Sequence, residues 1–421
     1  MKNKNKDVIV LGLALLAMFF GAGNLLFPPS LGLIAGKSWI ICGIGFFITA
    51  IGMPLLGIIG AAKAGGTIQD VGNKVGPTFS KIFSTVIILA IGPLLAIPRT
   101  GATTFETGIK PIFSSASPIL VSIIFFGLTL FFVIKPSNII DKVGKILTPL
   151  LLILIFTIIY KGIVSPIGVA STVMEGNPLS KGFTDGYQTM DALASLVFGS
   201  VMITSLIAKG YNKVEDQVSL TIKAGVIAAT GLAVIYGGLM YLGSTASSVF
   251  PADMNKADLL IAITDNLLGD FGKIALGVVV SLACLTTSIG LTATVGTFFN
   301  KLTNDRLSYQ SIVIATCVFS AVFANVGVDR IVSIAVPLLV TLYPVAIVLI
   351  LMTVFDNFIP KGAYPGAVFG ALLLSLYDGI STIDMASLGS LISKIPFASA
   401  GFAWLLPALL FGMISTRLIK N

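Results

Sequence analysis

The sequence predicts an all-α integral membrane protein of about twelve transmembrane helices, and three observations predict it. The chain is 56% hydrophobic and only 10% charged over 421 residues, against about 45–50% and 25% in soluble domains. Runs free of Asp, Glu, Lys and Arg recur along its whole length, at 8–36, 38–62, 82–98, 112–134, 146–160, 192–208, 224–252, 274–300, 307–328, 331–355, 362–377 and 395–416. Most exceed the roughly 18 residues that cross a hydrocarbon core of about 30 Å. The runs are also apolar all round, as in 331–355, rather than alternating with the period of two that a transmembrane β-barrel requires. In lipid each backbone N–H needs an internal partner, which a continuous apolar run finds as a helix.

Each element follows from this pattern. The first run, behind Lys2, Lys4 and Lys6, has the outline of a secretion signal, but no small-residue cleavage site follows it, so it is read as helix 1. The short runs 82–98 and 192–208 lengthen if Arg99 and Asp191 enter their helices, and 146–160 lengthens past Lys161 to Val164. The stretch 165–185, rich in Gly, Ser and Pro, reads as an outer loop. So does the acidic stretch 248–270, within which 257–268 reads as a short surface helix. An even number of spans places both termini on one side. With those termini cytoplasmic, inner loops carry 17 of the 26 Lys and Arg residues, outer loops carry 8, and Arg99 lies within a span. That bias predicts a cytoplasmic membrane with cytoplasmic termini. It also accounts for the net charge of +8 without a nucleic-acid partner. Cys42, Cys284 and Cys317 lie singly in apolar runs and there is no histidine, which excludes zinc chemistry and histidine proton relays.

Three features point to a site. Phe19-Phe20-Gly21-Ala22-Gly23-Asn24 lies in the middle of span 1. Glycine costs a helix about 1 kcal/mol relative to alanine, and a polar Asn at mid-membrane beside two glycines predicts a break. A broken helix offers free amides and a positive dipole end to a carboxylate, and free carbonyls to a cation. Close packing through small residues is the competing reading. Span 6, from Gly186, is weakly apolar at its outer end and interrupted by Ser195, Gly199 and Ser200. Breaks in the first and sixth spans are what two five-helix repeats require. In span 8, Thr286, Thr287 and Ser288 place three adjacent hydroxyls in an apolar run. They suit a singly charged ion, or else bond back to their own helix. In span 3, Arg99 and Glu106 are seven apart and share a helix face. Intramembrane charges are functional candidates, as an ion pair or an outer gate; Arg99 pairs either with Glu106 or with Asp191.

The residues 19–29, the segment Gly92-Pro93-Leu94-Leu95-Ala96-Ile97-Pro98-Arg99-Thr100 and the twelve-span pattern resemble the bacterial branched-chain amino acid:cation symporter family, within the amino acid–polyamine–organocation superfamily. The resemblance covers essentially the whole chain. It implies a single transporter domain of two inverted five-helix repeats, 8–164 and 186–355, with helices 1 and 6 broken, followed by two further helices in 362–418. It implies uptake of leucine, isoleucine or valine with Na+, or with H+ as the alternative, and no cofactor. The same resemblance assigns the amides of Ala22 and Gly23, with Asn24, to the substrate carboxylate. It gives the carbonyls of Ala17 and Phe20, with Ala283, Thr286 and Thr287, to one Na+. Phe198 would close over the substrate and Ser195 would lie at the break of helix 6. Span 7, 224–243, has no Asn to complete a second sodium site. A membrane enzyme is disfavoured, since no HExxH, paired metal-binding Asp or Ser/His motif occurs. A channel is disfavoured because no filter-like carbonyl loop repeats.

Overall fold

A computed structural model describes residues 4–134, 139–171, 173–381, 395–398 and 401–418; of Ala22, 139–148 and Ser381 it describes the backbone only. Of the topology residues, Lys2, Lys135, Lys394 and Lys420 lie outside the described residues, and so do 399 and 400 of the last apolar run.

Helices build the described residues. The first apolar segment forms α1 (Lys4–Phe19) and α2 (Ala22–Ala35), bent by 69° at their junction. The second forms α3 (Trp39–Phe47), which passes through a wide π turn, Ile48–Gly52, into α4 (Met53–Ala64). The short α5 (Ile68–Gly72) follows, started by a reciprocal cap in which Thr67 Oγ1 accepts from Asp70 N and Asp70 Oδ2 accepts from Thr67 N. The third segment is α6 (Pro77–Leu89), a π turn at Ala90–Leu94, α7 (Ala96–Thr103) and a second π turn at Thr104–Ile109. Gly92, non-helical at φ −97° and ψ −120°, and Pro93, which lacks an N–H, account for the first interruption. Then come α8 (Pro118–Val133), α9 (Ile139–Val164), α10 (Pro178–Asp185), a 3₁₀ turn at Gly186–Thr189, α11 (Asp191–Ala208) and α12 (Val214–Ala246). The chain continues through α13 (Lys256–Leu302), α14 (Tyr309–Phe323), α15 (Val328–Val354), α16 (Ala363–Ser381) and α17 (Leu405–Leu418).

Among the described residues eight helical stretches are long and apolar enough to cross a membrane, and the bent pair α1–α2 makes nine. Three shorter apolar helices, Pro118–Val133, Pro149–Val164 and Leu405–Leu418, complete the twelve. Spans 3 and 6 do admit Arg99 and Asp191, and α9 does reach Val164. Within α13, Gly269 at φ 64° and ψ −160° separates the expected short helix around 257–268 from the span that follows.

Two expectations need correction. The last helix starts only at Leu405, ten residues into its apolar run. The stretch 165–185 is not loop throughout, because its end forms α10. Asn177 Oδ1 accepts from Leu179 N and Ser180 N, and Pro178 takes the first helical position, where no N–H is needed. This polar helix is held by α3 rather than by its own hydropathy. A methyl group on Gly182 would stand 1.8 Å from Cys42 O, and one on Gly45 would stand 2.0 Å from Leu179 O. Only glycines at both positions let the two backbones approach so closely.

Candidate functional site

The centre of span 1 is unwound over two residues. Gly21 is extended, at φ −110° and ψ −172°. Its N–H bonds to Phe19 O at 3.0 Å and to Asn24 Oδ1 at 3.2 Å, and so not to Ala17 O, the partner an unbroken helix would give it. Asn24, in the first turn of α2, thereby reaches back to cap its own helix. Ala22 and Gly23 open α2, where amides have no acceptor within the helix and the dipole end is positive. Gly23 permits a close approach at this junction. A Cβ on Gly23 would meet Arg99 Nη2 at 2.7 Å and the Phe27 ring at 3.2 Å.

Span 6 breaks as well, but five residues before Ser195. α10 tightens into the 3₁₀ turn, Met190 adopts the left-handed conformation at φ 61° and ψ 8°, and α11 starts at Asp191. A non-glycine residue in that conformation costs about 1–2 kcal/mol, and a strained residue of this kind marks a place the surrounding fold over-determines. Ser195 lies inside the continuous α11, its Oγ donating to Ala192 O at 2.7 Å. That back-bond lets a serine persist in a helix, so Ser195 is no break. Its hydroxyl faces α4, where a Cβ on Gly57 would lie 1.9 Å away.

Asn24 joins the two breaks. Its Nδ2 donates to Asp191 Oδ2 at 2.6 Å and to the Tyr236 hydroxyl of α12. Tyr236 in turn donates to Asp191 Oδ2 at 3.4 Å. Asp191 sits in the first turn of α11, where the helix dipole favours a carboxylate.

Between these ends lies a narrow cavity of about 50 Å³. Phe19, Phe198 and Leu291 supply apolar wall; Arg99, Asp191 and Thr287 supply polar wall. The Phe19 and Phe198 rings meet at 5.6 Å between centroids. Arg99 is buried and donates through Nη1 to Gln188 O at 2.8 Å, with its guanidinium 5.5 Å from the Phe27 ring centre.

Neither expected ion pair of Arg99 forms. Among the described residues no carboxylate oxygen lies within 4.0 Å of it. The spacing of seven put Arg99 and Glu106 on one face only for a regular helix. The π turn at Thr104–Ile109 adds a residue per turn and rotates Glu106 out of that phase. Glu106 Oε1 instead accepts from Val328 N at 2.9 Å, capping α15, while Oε2 is buried without a partner.

Of the expected sodium ligands, Thr287 reaches the cavity, and a Cβ on Gly21 would lie 3.8 Å from its Oγ1. Both Thr286 and Thr287 donate to Ala283 O, at 2.8 and 3.0 Å. Each hydroxyl thus keeps its lone pairs for another group. Ala283 is buried, and neither it nor Thr286 lines the cavity. Phe20 is buried at the break, and Ala17 lies one turn before Gly21.

Sequence reading missed Tyr236, Gln188, Thr189 and Met190. A tyrosine in an apolar run looks like packing, and Met190 carries no backbone signal at all. The polar pair Gln188-Thr189, two residues before Asp191, is the available clue.

The fold is similar to that of solved structures. The chain superposes on Mhp1 in an inward-facing conformation with a TM-score of 0.64 at 15% identity, over 98% of this chain and 90% of that one. With MhsT in complex with L-phenylalanine the TM-score is 0.56 at 17% identity, over 97% of each chain. In sequence it is 41% identical to the branched-chain amino acid permease BraB of Bacillus subtilis (strain 168), over 97% of this chain and 94% of the relative. It is 37% identical to the branched-chain amino acid transport system 2 carrier protein of Pseudomonas aeruginosa, over 99% and 97%. The profile described as branched-chain amino acid transport protein matches residues 4–421. A bundle of lipid-crossing helices broken at its first and sixth spans, with relatives that are permeases and carriers rather than enzymes, therefore belongs to the family of branched-chain amino acid transport proteins.

Proposed function

We propose that this protein imports leucine, isoleucine or valine by symport with Na+ across the bacterial cytoplasmic membrane, with both termini on the cytoplasmic side. One observation carries the reading: the unwound centre of span 1 lies against Thr287 in a cavity with apolar walls. The substrate carboxylate docks on the amides of Ala22 and Gly23, beside Asn24, and its aliphatic side chain packs on Phe198. Sodium takes the carbonyls of Ala17, Phe20 and Ala283 with the hydroxyls of Thr286 and Thr287. The halves 8–164 and 186–355 act as inverted repeats that alternately open the cavity to each side, and 362–418 adds two helices outside them. Arg99, with Asp191 and Glu106, belongs to the gating apparatus: it bridges α2 and the 3₁₀ turn after α10 through Gly23 and Gln188.

Sodium entry down a potential of 100 mV contributes about 2.3 kcal/mol per charge, before any concentration gradient. In proteoliposomes, uptake of labelled leucine should stop when sodium outside is replaced by choline. Uptake that persists in choline and collapses with a protonophore would replace sodium by the proton. Counterflow of preloaded leucine, which a channel does not show, identifies the carrier mechanism.

A further inference from the structure

The cavity lining carries both signs of charge. The first amides of α2 and the Arg99 guanidinium lie together, since Arg99 Nη2 occupies the space beside Gly23. Asp191, only 5% exposed, lines the same cavity and reaches α2 through Asn24. Its hydrogen bonds from Asn24 and Tyr236 come from neutral donors, and both fall on Oδ2. No lysine or arginine nitrogen lies within 4.0 Å of it among the described residues. Arg99 lines the same cavity, yet is turned to the Gln188 carbonyl and the Phe27 ring. A buried carboxylate with only neutral donors is short of one positive charge, which burial makes costly to omit. Asp191 lines the cavity, so a substrate there can bring that charge to it.

We propose that Asp191 is the counter-ion of the substrate's α-ammonium group and confines the substrates to zwitterionic amino acids. The inference rests on the reading of this cavity as the amino-acid site, and adds to it the residue that senses the amine. The carboxylate of the substrate lies at the head of α2, its ammonium meets Asp191, and the aliphatic chain takes the apolar wall. Analogues of leucine that lack the amine leave Asp191 buried and uncompensated, and repel it with their own negative charge. Asp191→Asn keeps the shape and one acceptor but removes the charge.

The test is competition against labelled leucine by unlabelled leucine and by 4-methylpentanoate, which has the same carbon chain and carboxylate without the amine. It is run on purified wild type and Asp191→Asn in saturating sodium. Wild type should prefer leucine by about 100-fold or more, and the variant by less than about 10-fold, as loss of a close buried charge pair implies. Half-saturation by sodium should stay within about twofold of wild type. An unchanged preference in the variant would overturn the role of Asp191 alone, as would a preference kept while the sodium dependence shifts, which would make it an ion ligand. Failure of wild type to bind leucine would overturn the site reading together with it. If Asp191→Asn does not fold, wild type decides: 4-methylpentanoate competing within tenfold of leucine overturns the proposal, and a hundredfold gap supports it.

Discussion

At Gly23 a single methyl group would stand 2.7 Å from Arg99 Nη2 and 3.0 Å from its Cζ. Arg99 is anchored to Gln188 O and cannot yield without losing that bond in a buried setting. Gly23→Ala should therefore lower leucine uptake by about 10-fold or more, equivalent to about 1.4 kcal/mol of lost binding. The amount of protein in the membrane should stay near wild type. Thr287 offers the complementary experiment, because its hydroxyl faces the break while its own donor bond is satisfied by Ala283. Thr287→Ala should raise the sodium concentration for half-maximal uptake by about 10-fold, with leucine affinity at saturating sodium little changed. A sodium dependence untouched by this change would remove Thr287 from the ion site.

The elements explain what could be read in advance and what could not. The break in span 1 was legible because two glycines and an asparagine stand where an apolar helix has no use for them. The break in span 6 was misplaced for two physical reasons. Its outer half, α10, is too polar to pass as membrane helix and is held by glycine contacts to α3. Its hinge residue is Met190, whose left-handed backbone is imposed by the surroundings. The Arg99–Glu106 pairing failed because periodicity arguments assume 3.6 residues per turn, and a π turn intervenes. Ser195, expected at the hinge, is a packing residue between α11 and α4. Gly57→Ala would place a methyl 1.9 Å from Ser195 Oγ and 3.0 Å from its Cβ. Overpacking of this kind costs about 1–3 kcal/mol, read as a lower thermal midpoint of the purified protein. Adding Ser195→Ala should recover much of the loss, and Ser195→Ala alone should leave leucine uptake near wild type.

Across the whole molecule, the end assigned to the cytoplasm is tied by polar contacts between distant segments. Lys209 and Tyr211, in the connection before α12, bond to Asp7 of α1 at 2.7 and 2.9 Å. Asp356, just after α15, accepts from Lys74 and from Tyr364 of α16, both at 2.7 Å. Burial acts to raise the Asp356 carboxyl, but the hydrogen bonds from Lys74 and Tyr364 outweigh it and hold it below the usual carboxylate range. A lowered folded value means stability that is present above the unfolded value of about 3.9 and lost as pH falls through the folded one. Asp356→Asn should therefore lower stability at neutral pH by about 0.5–1 kcal/mol for a partly exposed pair, read as a lower thermal midpoint. The gap from wild type should close as pH drops below about 4. A gap that widens in acid would refute this assignment.

The amide of Asn24 has one further consequence. A single side chain holds the Gly21 N–H of the first discontinuity, the Asp191 carboxylate that begins the second, and the Tyr236 hydroxyl of a third helix. On the proposed reading it would serve as a hinge pin shared by two doors: a cargo that separated Asn24 from Asp191 would loosen both leaves together.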